Sequence, residues 1–125
     1  MERVLLVLLG GAFGTGLRYS LSLAIHPHIN GSPFPYATLL VNLSGCLAIG
    51  VLAELFEARV LVSPNVRVAL LTGVLGGYTT FSSFGFDTFH MIREGRIGLA
   101  AVNVSASVVL GLTAVWAGMR LGRLL

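Results

Sequence analysis

The sequence predicts an all-α integral membrane protein with four transmembrane helices. Of its 125 residues, 55% are hydrophobic and only 10% are charged, whereas soluble domains average about 25% charged residues. A helix needs about 20 mostly apolar residues to cross the hydrocarbon core of a membrane. Four stretches reach that length, at about 4–25, 36–57, 66–92 and 97–119. They make residues 1–125 a single transmembrane domain.

Each predicted helix is bounded by a short connection. The first helix begins within "MERVLLVLLGGAFGTG", which we interpret as a span rather than a signal peptide because it lacks a small-residue cleavage site and further spans follow. Residues 26–35 carry three prolines and form a loop. Ser63-Pro64-Asn65 is a helix-start signal before the third helix, and residues 93–96 form a tight hairpin before the fourth.

The basic residues are all arginines, and they lie near the ends of the spans. Because the arginines are scattered rather than clustered on one face, the net charge of +3 does not indicate a nucleic-acid-binding surface. The membrane side that carries the N-terminus, called side A, holds five arginines: Arg3, Arg59, Arg67, Arg120 and Arg123. Side B holds Arg93 and Arg96, with Arg18 toward the side-B end of the first helix. The excess favours cytoplasmic termini, but it is small enough to allow insertion in both orientations.

The glycines suggest where the helices pack closely. Three pairs are four residues apart: Gly10 and Gly14, Gly73 and Gly77, and Gly118 and Gly122. Small residues at this spacing let helix backbones approach each other in lipid.

The third span contains "GGYTTFSSFGFD" at residues 76–87, which predicts a break at its centre. Two glycines and two threonines weaken helix propensity there. Irregular backbone at membrane depth is tolerated only inside protein or beside a cavity. A break also exposes carbonyl oxygens, which in transporters with unwound helices coordinate Na⁺.

Three polar residues from three spans share one membrane level near side B: Arg18, Asn42 and Asp87. Arg18 and Asp87 form either an ion pair or part of a functional site, because charges inside membranes are usually paired. The Asn42 amide is suited to donate a hydrogen bond to an anion.

The fourth span and the break supply further candidates. Asn103, Ser107 and Gly111 share one helix face, which serves either helix packing or a water-accessible path. Phe81 and Phe84 also share a face. Their rings either fill a core or present positive edges to an anion.

Three stretches carry a resemblance to a known family: "GGAFGTGLRY" at 10–19, "VNLSG" at 41–45 and "GGYTTFSSF" at 76–84. In order and spacing they resemble the signature stretches of the Fluc/CrcB family of fluoride channels. The resemblance implies a homodimer of two antiparallel, dual-topology chains with two fluoride pores. It also implies a fluoride-selective passive channel in the inner (plasma) membrane that exports fluoride and lowers its cytoplasmic concentration.

The resemblance assigns site residues by position. The implied fluoride pore residues are Asn42, Phe81, Phe84, Ser82, Ser83, Asn103, Ser107 and Arg18. The carbonyls of Gly76 and Thr79, together with those of the partner chain, would hold a structural Na⁺ at the dimer centre. Family members carry tyrosine and serine where this chain has Asn103 and Gly111, so the polar face of the fourth helix departs from the family pattern.

Two other functions fit parts of the sequence. A small dual-topology multidrug or cation exporter also has four short helices, but its proton coupling needs an acid at membrane depth, and Glu54 and Glu57 lie at the side-A end of the second span. A structural subunit would explain the packing glycines but not the break. The chain shows no nucleophile and base constellation, so we expect no enzyme activity.

Overall fold

A computed structural model describes residues 1–29, 31–58 and 62–125 of the chain. Within these ranges every regular element is helical, which confirms the predicted all-α class. The α-helices are α1 (Glu2–Ile25), α2 (Tyr36–Ala58), α3 (Pro64–Val68), α4 (Leu75–Tyr78), α5 (Phe81–Arg93) and α6 (Ile97–Leu124). Of these, α1, α2 and α6 are long and apolar enough to cross a membrane. The chain is therefore a membrane protein.

The region predicted as the third span is built from several short pieces. It starts at Pro64, where the Ser63 hydroxyl accepts a hydrogen bond from the Val66 amide at 3.3 Å and caps α3. A π-helical segment, Ala69–Val74, joins α3 to α4. Such segments are uncommon and often lie near functional sites. Between α4 and α5, residues 79–80 adopt extended backbone.

The connections between helices are short. The loop after α1 begins with a 3₁₀ turn, His26–His28. Gly31 and Gly95 have φ angles of 83° and 74°, in the left-handed region that glycine tolerates best. Residues 59–61, including the predicted side-A residue Arg59, lie outside the described part of the chain.

The helices pack along two close interfaces, called seams below, and glycines line both of them. Helix α2 packs mainly on α6, and α1 packs on the π-helical segment and α4. A Cβ atom at Gly14 would lie 2.9 Å from the Tyr78 nitrogen, and one at Gly50 would lie 3.0 Å from the Met119 nitrogen. Only glycine allows backbones to approach this closely. The pairs at 10/14, 73/77 and 118/122 all lie in these seams.

Polar contacts tie the helix ends together on side A. Arg123 donates from Nε to Glu54 Oε1 at 2.7 Å, joining α6 to α2. Arg3 donates to Asn65 Oδ1 at 2.8 Å, joining α1 to the start of α3. Elsewhere many large apolar side chains on α1, α5 and α6 are exposed, which suits a surface that faces lipid or a second protein chain.

Candidate functional site

A cavity of about 430 Å³ opens between α2, α4, α5 and α6. Its walls are mostly apolar. Six of the predicted site residues line it: Asn42, Gly76, Thr79, Phe81, Phe84 and Ser107. The fold thus brings residues from the second, third and fourth predicted spans to one place. Four other predicted residues, Arg18, Ser82, Ser83 and Asn103, are not part of this wall.

The extended backbone beside the cavity begins at Thr79 (φ −83°, ψ 157°) and ends at Thr80 (φ −149°, ψ 111°). In a continuous helix the amides of residues 80–83 would donate to the carbonyls of residues 76–79. Here the Thr80 amide donates instead to Asn42 Oδ1 at 2.8 Å. The Ser83 amide donates to Thr80 Oγ1 at 3.2 Å and so caps α5. This interruption, the extended backbone at residues 79–80, therefore turns the two amides away from the carbonyls of Gly76 and Thr79.

Asn42 holds this interruption through both ends of its side-chain amide. While Oδ1 accepts from the Thr80 amide, Nδ2 donates to the Thr80 carbonyl at 3.1 Å. These two bonds replace the helical partners that Thr80 lacks. An amide nitrogen carries two hydrogens, so Nδ2 retains one donor hydrogen beyond this bond. Asn42 is consequently both a structural clamp and a potential donor toward the cavity.

The carbonyl oxygen of Gly77 points to α1 and is bound there. Arg18 donates to it from Nε at 3.2 Å, and Thr15 donates from Oγ1 at 3.3 Å. Arg18 and Asp87 do not pair with each other, so the ion-pair interpretation is wrong. Asp87 instead accepts a hydrogen bond from Thr38 Oγ1 at 2.7 Å.

The two phenylalanines at the start of α5 lie side by side. The ring centroids of Phe81 and Phe84 are 5.5 Å apart, and the planes are tilted by 45°. Phe81 lines the cavity and is 83% exposed, so its ring is accessible to an ion or to a second protein chain. The hydroxyls of Ser82 and Ser83 lie 3.3 and 3.0 Å from Thr80 Oγ1, which ties them to the interruption rather than to the cavity wall.

The residues on the polar face of α6 have different neighbours: one lines the cavity, and the others contact neighbouring helices. Ser107 lines the cavity. Asn103 is only 1% exposed and donates from Nδ2 to Thr88 Oγ1 at 2.9 Å. Gly111 faces the Cys46 sulfur, which would lie 3.6 Å from a Cβ atom there. Asn103 is therefore buried at the interface between α6 and α5, where its side chain makes a hydrogen bond that joins the two helices.

Backbone carbonyls are the groups in the cavity best suited to a cation. Gly76 and Thr79 line the cavity, and no donor among the described residues is seen to bond their carbonyl oxygens. Oxygens of this kind are the ligands that hard cations prefer. Acidic, histidine and cysteine side chains in the described ranges form no cluster of three that would hold a metal ion.

The histidines lie away from this site. His28 Nδ1 is 3.1 Å from the Ala24 carbonyl oxygen at the end of α1. His90 Nδ1 is 3.6 Å from Glu94 Oε1 near the hairpin between α5 and α6. Three threonines that were not predicted as site residues each bond a residue or backbone group next to the site: Thr15, Thr38 and Thr88. Their only sequence signal is a hydroxyl within an apolar span.

These features define a small helical membrane protein in which an interrupted segment presents backbone carbonyls, aromatic rings and polar side chains to one cavity. The family described as "CrcB-like protein, Camphor Resistance (CrcB)" matches residues 5–119. The chain belongs to this family.

Curated relatives match nearly the whole chain. A protein of Methylobacillus flagellatus is 45% identical over 121 residues, which cover 97% of this chain and 94% of the relative. A protein of Solibacter usitatus is 46% identical over 121 residues, covering 97% and 98%. A third, from Chloroflexus aurantiacus, is 43% identical over 123 residues, covering 98% and 97%. All three are named "Fluoride-specific ion channel FluC".

Proposed function

We propose that this protein is a fluoride-selective passive ion channel that exports fluoride and lowers its cytoplasmic concentration. The observation that carries the proposal is the near full-length similarity to relatives named fluoride-specific ion channels. The cavity adds support, because it gathers Asn42, Phe81, Phe84 and Ser107 on one surface. The activity is conduction, and the protein is not an enzyme.

The chemistry of the cavity suits a small anion that must bind and leave quickly. Aromatic rings carry positive edges, so Phe81 and Phe84 offer attraction without a formal charge. Ser107 and the remaining Asn42 hydrogen offer neutral donors. Conduction requires binding strong enough for entry and weak enough for exit. A wall of ring edges and neutral donors meets that requirement better than an arginine would.

The remaining predicted pore residues act around this wall. Ser82 and Ser83 provide hydroxyl donors beside Phe81 when an anion approaches the start of α5. Asn103 is buried and donates to Thr88, so it acts on the fluoride path indirectly, by holding α6 against α5. Arg18 supplies positive charge near the interruption, from the α1 side.

A second copy completes the site. The Pro64–Arg93 region crosses the membrane as a fourth, broken span, in a multi-pass protein of the inner (plasma) membrane. Two chains inserted in opposite orientations form an isologous homodimer. The carbonyls of Gly76 and Thr79 from both chains then make a four-oxygen cage for a structural Na⁺, which would hold the two interruptions together.

The exporter alternative is not favoured. Its coupling mechanism needs an acid near the membrane centre, whereas Glu54 bonds Arg123 near the side-A end of α2 and Asp87 accepts from Thr38 toward side B. The relatives' names also describe a channel.

The proposal is tested by passive efflux from liposomes that contain the purified protein. Fluoride release is read with an electrode and compared with release from chloride-loaded liposomes. We expect rapid fluoride release and negligible chloride release. Equal release of both ions contradicts the selectivity, and the absence of release from verified dimers contradicts the channel.

A further inference from the structure

The two glycines in α4 face different neighbours. Gly76 lines the cavity, and a Cβ atom there would meet nothing within 4 Å. Gly77 faces α1, where a Cβ atom would lie 3.0 Å from the carbonyl carbon and Cα of Gly11. The short helix therefore has one side toward the proposed cation cage and one side fixed against α1.

The α1 side of α4 is held by hydrogen bonds as well as by packing. Thr15 and Arg18 lie within one turn of α1, and both donate to the Gly77 carbonyl oxygen. That oxygen is one of those that lose their helical donors at the interruption. Because an unpaired carbonyl is costly in a membrane, these two donors stabilise the Gly77 carbonyl in its orientation toward α1.

We propose that Thr15 and Arg18 are positioning residues for the cation cage, and that they act by holding the Gly77 carbonyl toward α1. This inference rests on the proposed function, because the cage requires a second copy of the chain. Fixing the Gly77 carbonyl sets the rotation of α4 about its axis. That rotation decides whether the carbonyls of Gly76 and Thr79 converge in the cavity.

The two donors are expected to differ in strength. Arg18 makes a charge-assisted bond, which is stronger than a neutral one. Its positive charge also repels a nearby cation, so replacing Arg18 removes a favourable contact and an unfavourable one together. Thr15 has no charge, and Thr15→Val keeps its shape while removing the donor. Thr15→Val is therefore the cleaner test of positioning.

The experiment measures Na⁺ dependence in the full-length protein. Fluoride efflux from liposomes is recorded as Na⁺ is replaced by N-methyl-D-glucamine, and the rise in melting temperature on adding Na⁺ is recorded in detergent. Thr113→Val is the matched control, because the Thr113 hydroxyl bonds only within α6, to the Val109 carbonyl. Arg18→Gln is the second variant.

We expect Thr15→Val to raise the half-saturating Na⁺ concentration by up to about eightfold, because both chains around the cage lose one hydrogen bond between membrane helices and each bond is worth about 0.6 kcal/mol. High Na⁺ should restore most of its flux. Thr113→Val should match the wild type. Arg18→Gln should also raise the half-saturating concentration, but by less than the loss of its stronger bond alone would give, since the repulsion between the guanidinium and the cation is lost as well.

Either of two results overturns the inference. One is an unchanged half-saturating Na⁺ concentration in both Thr15→Val and Arg18→Gln. The other is that neither the fluoride flux nor the melting temperature of the wild type changes with Na⁺ concentration. A wild type that carries no fluoride but still melts higher with Na⁺ contradicts the proposed channel alone, since the shifts in the variants can still be read from melting.

Discussion

The seam between α1 and α4 makes Gly14→Ala a sensitive test of the structure. A Cβ atom at Gly14 would lie 2.9 Å from both the Tyr78 nitrogen and the Val74 carbonyl carbon, and closer still to the Val74 oxygen. These are backbone atoms, so no side chain can rotate away to make room. Ordinary contact begins at 3.4 Å, so α1 and α4 must separate by at least about 0.5 Å.

That separation also breaks the contacts to Gly77. The bonds from Thr15 and Arg18 measure 3.3 and 3.2 Å, and a further 0.5 Å or so takes both beyond the range of a hydrogen bond. Overpacking a close interface costs about 1–3 kcal/mol, and each lost interhelical bond adds about 0.6 kcal/mol. We therefore expect Gly14→Ala to lower the free energy of unfolding by about 2–4 kcal/mol.

Gly16→Ala is the matched control on the same helix. A Cβ atom at Gly16 would meet nothing within 4 Å, and alanine favours a helix over glycine by up to about 1 kcal/mol. Unfolding is followed by circular dichroism in mixed micelles at increasing SDS, at one protein concentration because dimerisation would shift the midpoint. If Gly14→Ala unfolds at the same SDS fraction as Gly16→Ala, the described seam is wrong.

Three further predictions concern the cavity and α6. Phe81→Ile removes a ring edge and should slow fluoride efflux at least about tenfold, equivalent to 1.4 kcal/mol in the barrier. Phe89 lies outside the cavity wall, so Phe89→Ile should leave the efflux rate unchanged. Equal efflux rates in both variants contradict the ring-edge mechanism. Asn42→Leu removes the partner of both backbone groups of Thr80 and should destabilise the protein by about 2–6 kcal/mol in SDS titrations. A loss of flux at full stability would show that these two bonds do not stabilise the fold. Asn103→Leu should lower the free energy of unfolding by about 0.6 kcal/mol and change fluoride flux less than Phe81→Ile does. A larger effect on flux than that of Phe81→Ile would place the Asn103 amide in the ion path.

Several features of the fold follow from local sequence. Apolar length predicts the long helices, because the bilayer sets how many residues must be buried. Ser63 and Pro64 predict where the third region starts, since the cap depends only on neighbouring residues. The glycine pairs predict close seams, because spacing fixes which residues share a helix face. The extended backbone at residues 79–80 lies where glycines and threonines weaken the helix.

The partners of the polar residues could not be predicted in the same way. Arg18 and Asp87 share a membrane level, yet they bond to the Gly77 carbonyl and to Thr38. Depth follows from counting residues, but pairing depends on how each helix is rotated against its neighbours. Asn103 illustrates this, because its place on a polar face did not reveal that α5 covers it.

The dimer and the cation cage remain predictions from the family resemblance. A single chain supplies two carbonyl-bearing residues to the cavity, Gly76 and Thr79. Four-oxygen coordination needs a second copy, and nothing in the helical pattern of one chain specifies its orientation.

The reversal potential of the current is the most direct test of a passive, fluoride-selective channel. The protein is placed in a planar bilayer with a tenfold fluoride gradient and equal chloride on both sides. A fluoride-selective channel should show reversal near the fluoride equilibrium potential, about 59 mV for a monovalent ion. Making the chloride concentrations unequal should not shift this reversal potential. A reversal potential that follows the chloride gradient, or one that stays at zero despite the fluoride gradient, would contradict fluoride selectivity.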